Sequence, residues 1–119
     1  MDVKLLRAKL HMATVTATHL NYHGSITIDR ELMDAAGLLP HEAVTIANLN
    51  TGQRAETYVI VGEPGGRQIE LNGAVARLAE VGDRVIVLAF GQMPIEEAEG
   101  FQPRVVILGE GNEVAETVP

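Results

Sequence analysis

The chain has 119 residues, which suits one small domain, and 46% of them are apolar, as is ordinary for a globular protein. Aromatic residues make up only 3%, so we expect an aliphatic core. The net charge of -7 without a basic stripe argues against nucleic-acid binding and against docking on anionic membranes, and the lack of cysteine excludes disulfides and thiolate chemistry. With no apolar leader and no apolar run near the roughly 20 residues that span a bilayer, we expect a cytoplasmic protein.

The first part of the chain predicts a long strand. Residues 3–18 alternate in polarity and are rich in Val, Leu and Thr. Because side chains alternate along a strand, we expect Leu10 and Met12 on one face and Lys9 and His11 on the other.

A turn over residues 21–25 follows, and then a short strand over residues 26–28. Asp29 is a favourable N-cap for a short helix over residues 30–36, and Gly37 is a typical helix stop. The sequence therefore predicts a strand that leads directly into a capped helix.

The middle of the chain alternates short strands with turns. We predict strands over residues 43–49, 53–61, 68–71 and 84–90, a hairpin turn over residues 50–52, and a second short helix over residues 74–79. Many short strands with two short helices favour a mainly β fold, and a closed barrel over an open sheet.

The composition changes after residue 93. Residues 94–119 carry six acids and one base. They predict an acidic helical turn, a strand over residues 104–108 and a turn over residues 109–112. We interpret this segment as an appendage of the same domain and not as a second domain.

The dipeptide Gly24-Ser25 is typical of a plain turn, and it also permits self-cleavage. A serine hydroxyl in a strained turn can attack the preceding carbonyl and convert the amide to an ester, and a preceding glycine minimises steric resistance. Elimination across the serine then breaks the chain, and hydrolysis leaves a pyruvoyl ketone. The residues alone leave both interpretations open.

Two further groups of polar residues have a structural and a functional interpretation. Lys9 and His11 form either a solvated strand edge or the wall of a polar pocket. Arg54 and Tyr58 share one strand face, with Thr57 on the other face unless a bulge intervenes. An arginine there could pair with a carboxylate, and a tyrosine could donate a proton.

Residues 72–75 form a small-residue entry to the second predicted helix. Their backbone N–H groups could hold an anion, or Asn72 could be a plain N-cap. We expect no metal site, because the four histidines lack the spacing of metal ligands: His11, His19, His23 and His41.

Taken in order, these residues resemble the bacterial aspartate 1-decarboxylase family, pyruvoyl enzymes that make β-alanine for pantothenate synthesis. The resemblance runs through most of residues 1–93. It rests on six segments with matching order and spacing: KLH at 9–11, LNYHGS at 20–25, LMDAAGLL at 32–39, NTGQR at 50–54, TYVI at 57–60 and LNGA at 71–74.

The resemblance implies a double-psi β-barrel with two short helices over residues 1–93, assembled as a homotetramer with active sites between neighbouring subunits. It implies cleavage after Gly24 into chains 1–24 and 25–119. Ser25 would become the covalent pyruvoyl cofactor, which forms a Schiff base with L-aspartate and takes up electrons as the α-carboxylate leaves as CO2. Whether a maturation factor takes part stays open at this point.

The resemblance also assigns roles to individual residues. Thr57 would assist self-cleavage, Lys9 and Arg54 would receive the carboxylates of the substrate, and Tyr58 would protonate the intermediate. The rest of the substrate pocket is implied to consist of Asn72, Gly73, Ala74, Val75, His11, Tyr22 and Thr57. Val75 stands where the family often has Ala, and His19 where an acid is common.

Two other functions compete with this interpretation. A non-catalytic barrel could bind a small acid or a protein partner, since fold does not determine function. A degenerate relative would be expected to lose Lys9, Arg54 or Tyr58, and this chain retains all three. A nucleic-acid-binding barrel is disfavoured by the acidic charge and by the lack of aromatic residues on which bases could stack.

Overall fold

The computed structural model describes all residues from 1 to 119. The strands are β1 Asp2–Thr14, β2 Ala17–His19, β3 Ser25–Asp29, β4 Ala43–Asn48, β5 Arg54–Gly62, β6 Ile69–Asn72, β7 Arg84–Pro94, β8 Arg104–Leu108 and β9 Val114–Val118. The α-helices are α1 Arg30–Ala36 and α2 Ile95–Ala98, and two 3-10 helices span Gly73–Leu78 and Glu110–Asn112. No helix combines the length and the apolar character needed to cross a membrane.

The nine strands form one sheet in the order β2-β6-β3-β5-β4-β7-β1-β8-β9. The pairs β2–β6, β3–β5 and β1–β8 are parallel, and the other neighbours are antiparallel. Strands that lie far apart in this order, from β6 to β8, contribute to a single buried cluster, so the sheet curls around it. The mainly β, barrel-like fold is confirmed, and the edge strands β2 and β9 do not pair with each other.

The core is aliphatic, as the composition predicted. Its 22 buried residues are all Ala, Val, Leu, Ile or Met. They include Leu10 from β1, Ile26 from β3 and Val59 from β5, each fully buried. Burial of such a side chain stabilises the fold by about 1.5–3 kcal/mol, so aliphatic packing alone gives this small domain its core.

Helix α1 forms where the capping residues predict it. The Asp29 carboxylate accepts a hydrogen bond from the Glu31 backbone N–H, and Gly37 closes the helix in the left-handed conformation with a φ of 77°. Leu32, Met33 and Ala36 are the buried residues of the helix. The predicted bounds and both caps are confirmed.

The face predicted for Met12 is wrong. The register between β1 and β7 shifts between Leu10 and Ala13, and Met12 has a φ of 65°. This bulge interrupts the alternation, so Ala13 and not Met12 follows Leu10 into the core.

The second predicted short helix is present with slightly different bounds. It is a 3-10 helix over Gly73–Leu78, one residue earlier than the predicted range 74–79. Asn72 occupies the N-cap position in the extended conformation usual for an N-cap, but its side chain makes no capping hydrogen bond. Its side chain instead contacts β3.

The acidic C-terminal segment packs along β1. Strand β8 pairs in parallel with it, placing Val105 opposite Lys9 and Ile107 opposite His11. The strand prediction for residues 104–108 is confirmed, whereas β9, which pairs with β8, was not predicted. The C-terminal segment thus supports the strand that carries Lys9 and His11.

A buried polar group, the Asp29 cluster (Asp29, Arg67 and Asn112), joins this segment to α1. The Asp29 carboxylate accepts hydrogen bonds from the backbone N–H groups of Glu31, Gly65 and Arg67 at 2.8–2.9 Å. The Asn112 amide accepts from the Thr14 N–H at 2.7 Å and donates to the carbonyls of Thr14 and Arg67 at 2.9 and 3.0 Å. The Asp29 carboxylate and the Asn112 amide are therefore fully hydrogen-bonded.

Candidate active site

Ser25, the only serine of the chain, opens strand β3. Its side chain is 1% exposed. Strand β3 lies between β6, which is antiparallel to it, and β5, which is parallel, and Ser25 stands opposite Asn72. Ser25 is therefore a buried strand residue and not a solvated turn residue.

The Ser25 hydroxyl belongs to a second buried polar group, the Ser25 cluster (Ser25, Thr27 and Asn72). The Asn72 Nδ2 group donates to Ser25 Oγ at 2.9 Å and to Thr27 Oγ1 at 3.0 Å. Ser25 Oγ also donates a long hydrogen bond of 3.4 Å to the His23 carbonyl. Asn72 is 1% exposed, and its Oδ1 atom has no hydrogen-bond partner. A buried acceptor without a partner is rare and often marks a functional site.

Gly73 packs against the backbone of the Gly24-Ser25 dipeptide. A Cβ atom on Gly73 would lie 2.7 Å from both Cα and N of Gly24 and 2.9 Å from the Tyr22 carbonyl oxygen. Gly73 also has a φ of +72°, which side chains disfavour. A Cβ on Gly24 would meet nothing closer than 4.0 Å. The packing therefore requires a glycine at position 73 but leaves room for a side chain at position 24.

An open cleft of about 580 Å³ lies beside this cluster. It is lined by His19, Leu20, Asn21, Tyr22, Thr27, Glu70 and Asn72. Tyr22 is 63% exposed, and the His19 imidazole lies 3.0 Å from the Glu70 carboxylate. The cleft has the size of a small-molecule site.

Thr27 and Glu70 also line this cleft, and neither was predicted from the sequence. They lie opposite each other on β3 and β6, and Thr27 shares its strand face with Ser25. The spacing Ser25-x-Thr27 on a predicted strand could have indicated that Thr27 lies on the same face as Ser25. The pairing with β6 could not be read from local pattern.

Lys9 and His11 lie on β1, which is separated from β3 by the strands β5, β4 and β7. The Nδ1 atom of His11 is buried without a partner. Burial lowers the pKa of His11 below its ordinary value, and the positive charge of Lys9 lowers it further. The neutral imidazole is thus favoured, and neither residue lines the cleft.

Arg54, Thr57 and Tyr58 lie on β5, next to β3. Their alternation is as predicted, with Arg54 and Tyr58 exposed and Thr57 half-buried between them. Thr57 comes two residues before Val59, the partner of Ile26, which places it beside the start of β3. Tyr58 is 38% exposed, and its ring centroid lies 6.5 Å from that of His41.

The structure thus brings together only part of the predicted site. Tyr22 and Asn72 line the cleft, Ser25 accepts a hydrogen bond from Asn72, and Gly24 packs against Gly73. The predicted residues that neither line the cleft nor take part in these contacts are Lys9, His11, Arg54, Thr57, Tyr58, Ala74 and Val75. Of these, Ala74 is exposed, Val75 points into the core, and Lys9 and Arg54 have no acidic partner within 4 Å.

Comparison with known proteins identifies the family. A model of the family described as aspartate decarboxylase matches residues 1–115. The aspartate 1-decarboxylase of Phenylobacterium zucineum is 53% identical over 114 residues, which cover 96% of this chain and 97% of the relative. The aspartate 1-decarboxylase of Salinibacter ruber is 55% identical over 117 residues, which cover 98% and 80%. The chain therefore belongs to the aspartate decarboxylase family, as the resemblance in its sequence predicted.

Proposed function

We propose that this protein converts L-aspartate to β-alanine and CO2 by removing the α-carboxylate, in pantothenate biosynthesis. Membership of the family supports the reaction class. The observation that carries the proposal is the buried Ser25 hydroxyl, which follows Gly24 and is held by the Asn72 amide. A serine placed in this way suits maturation of the chain itself.

In the proposed maturation, Ser25 Oγ attacks the carbonyl carbon of Gly24 and loses its proton, and the peptide C–N bond breaks to leave an ester. Elimination across Cα–Cβ of residue 25 then releases the Gly24 carboxylate as the end of chain 1–24. Water replaces the amino nitrogen of residue 25, which leaves as ammonia, and chain 25–119 begins with a pyruvoyl group. Thr57, which lies two residues before Val59, the β5 partner of Ile26, would assist by hydrogen-bonding near the scissile carbonyl.

The residues around Ser25 fit a pyruvoyl group at position 25. It needs no charged partner, only a dry pocket, and the side chain of residue 25 is almost fully buried. Asn72 supplies two N–H donors and one unpartnered acceptor beside that position, and Gly73 lets the Gly24 backbone approach closely. The ketone of the group supplies an electron sink for the charge left on the substrate carbon when CO2 departs.

The remaining residues suit a substrate with two carboxylates. We propose that Arg54 and Lys9, which carry no acidic partner, bind the carboxylates of aspartate. The Tyr58 hydroxyl would supply the proton that replaces CO2. His11, Tyr22, Ala74 and Val75 would complete the pocket, with Val75 contributing only its backbone because its side chain lies in the core.

We further propose that the enzyme works as a homotetramer with active sites between copies. Within one chain three strands separate Lys9 from Ser25, and Arg54 stands outside the cleft. A neighbouring copy that presents these cations to the cleft would complete a site for a dicarboxylate. A maturation factor remains part of the proposal only if purified precursor fails to cleave unaided.

Intact-mass analysis of the purified protein tests the proposal. We expect two chains, residues 1–24 and 25–119, and release of β-alanine from L-aspartate. Ser25→Ala should remain one folded chain of 119 residues and should lose decarboxylation completely. A wild-type protein that binds aspartate in calorimetry but stays uncleaved, even with lysate added, and releases no CO2 would instead show a non-catalytic binding module.

A further inference from the structure

We propose that Thr27 is a positioning residue that holds the Asn72 amide in the orientation needed for self-cleavage, an inference that rests on the proposed function. Thr27 lies two residues after Ser25, so both side chains emerge from the same face of β3. Asn72 stands opposite Ser25, and Glu70 stands opposite Thr27. Asn72 is therefore the diagonal neighbour of Thr27, a distance that an asparagine side chain can bridge.

The hydrogen bonds of the amide show what Thr27 contributes. The terminal amide of asparagine has two N–H donors, and both are used, one on Ser25 Oγ and one on Thr27 Oγ1. One hydrogen bond alone leaves the amide free to rotate about its last torsion, which has a broad energy well. Two hydrogen bonds from the same nitrogen to two fixed strand positions define its plane.

The direction of the serine hydroxyl agrees with this arrangement. Ser25 Oγ donates to the His23 carbonyl, so its lone pairs are available to an N–H group. A rotated amide would present Oδ1 to Ser25 and remove that donor. The Thr27 hydroxyl, which lies at the cleft, thus stabilises the amide orientation in which Asn72 donates to Ser25 Oγ. In that orientation the Asn72 Oδ1 atom stays without a partner.

The same contact continues after maturation. Self-cleavage would transfer the Oγ atom of Ser25 to the Gly24 carboxylate, and the Asn72 N–H group that donated to Oγ would become free. The second N–H group would still donate to Thr27, so the freed one keeps its direction toward residue 25. Thr27 therefore acts through Asn72 in both the precursor and the mature protein.

The test compares the self-cleavage rates of purified precursors, followed by intact mass. Thr27→Val keeps the shape of the side chain and removes only the hydroxyl. Loss of one hydrogen bond predicts cleavage slowed roughly tenfold, with a modest fall in Tm because one N–H group of the buried Asn72 amide is left unpaired. Thr27→Ser restores the hydroxyl and should cleave at close to the wild-type rate, a rescue that a purely structural role does not predict.

Thr18→Val provides the matched control. Thr18 lies on β2, on the other side of β6, opposite Leu71, and makes no hydrogen bond within the Ser25 cluster. Its loss should leave cleavage unchanged. If Thr27→Val does not fold, Thr27→Ala, which cannot introduce a clash, takes its place.

The outcomes separate the two proposals. Wild-type cleavage together with unchanged rates in folded Thr27→Val would overturn the role of Thr27 and leave the proposed function standing. Slow cleavage that Thr27→Ser does not restore would also overturn it, because the hydroxyl would not be the cause. A wild-type chain that never cleaves, with or without lysate, would overturn the proposed function itself.

Discussion

The two buried polar groups at the ends of β3 differ in how completely they are hydrogen-bonded. At the end of the strand, both Asp29 oxygens accept hydrogen bonds and all polar atoms of the Asn112 amide are used. At its start, Asn72 leaves Oδ1 without a partner beside the Ser25 hydroxyl. The Asp29 cluster thus stabilises the fold, whereas the Ser25 cluster keeps unused hydrogen-bonding capacity at the place where the chemistry is proposed.

The largest effect on stability is expected from Asp29→Ala, measured by urea unfolding in the uncleavable Ser25→Ala background. The substitution leaves three backbone N–H groups without their acceptor, while the Arg67 guanidinium keeps the Glu31 and Glu113 carboxylates. At about 1–3 kcal/mol for each unpaired buried donor, we expect a loss of at least about 3 kcal/mol. A loss below about 1 kcal/mol would show that Asp29 contributes no more than an exposed N-cap.

The pH dependence of the same substitution provides a control. Burial alone raises the pKa of Asp29, but hydrogen bonds from the Arg67, Glu31 and Gly65 backbone and the Arg67 charge outweigh it and hold the pKa below its ordinary value. The carboxylate therefore stabilises the fold above the ordinary pKa of about 3.9, and this stabilisation is lost as pH falls through the lowered value. The difference in unfolding free energy between the parent and the Asp29→Ala variant should be constant near neutrality and shrink below about pH 4.

Gly73→Ala is expected to have the next largest effect. The new Cβ would lie 2.7 Å from Gly24 backbone atoms, at a φ of +72°. Overpacking and the left-handed conformation together predict a loss of about 2–4 kcal/mol and a displaced Gly24, so cleavage should also slow. Thermal melts of both variants measure the difference. Gly24→Ala is the matched control, since its Cβ has room, and it should keep a normal Tm. Equal stability of the two variants would contradict the close approach.

Asn112→Ala comes third. It removes an amide that bridges the end of β1 to the Arg67 carbonyl through three hydrogen bonds. Leaving buried backbone groups unpaired predicts a loss of about 1–3 kcal/mol in urea unfolding. Hydrogen exchange of the Thr14 amide should rise with it, and unchanged protection there would show that another group had replaced Asn112.

These differences also show what could be predicted from sequence. Helix α1 was predicted in full because its caps, Asp29 and Gly37, act on residues within the helix. Strand β9 was missed because it is exposed throughout and exists only through its pairing with β8. The bulge at Met12 was missed for a similar reason, since it depends on the register with β7.

The candidate site was likewise predicted only in part. Ser25 and Asn72 were predicted from the family motifs, and the structure places them in contact. Thr27 was missed because its role depends on cross-strand register and not on local pattern. Lys9 and Arg54 were predicted as parts of one pocket, yet a single chain leaves them outside the cleft, and the proposed contact between copies would leave no periodic signal in the sequence.

The smallest effect on stability is expected from Asn72→Ala, although it is as buried as Asn112. The substitution removes two donated hydrogen bonds, and it also removes an acceptor that is buried without a partner. Because the desolvation cost of that acceptor disappears with it, the net loss in urea unfolding should be about 1 kcal/mol or less. Self-cleavage of the Asn72→Ala precursor, with Ser25 intact, should nevertheless slow by at least roughly tenfold in intact-mass time courses, since Ser25 loses its donor. A large loss of stability with normal cleavage would contradict the difference between the two clusters. Asn72 would then stabilise the fold, as Asn112 does.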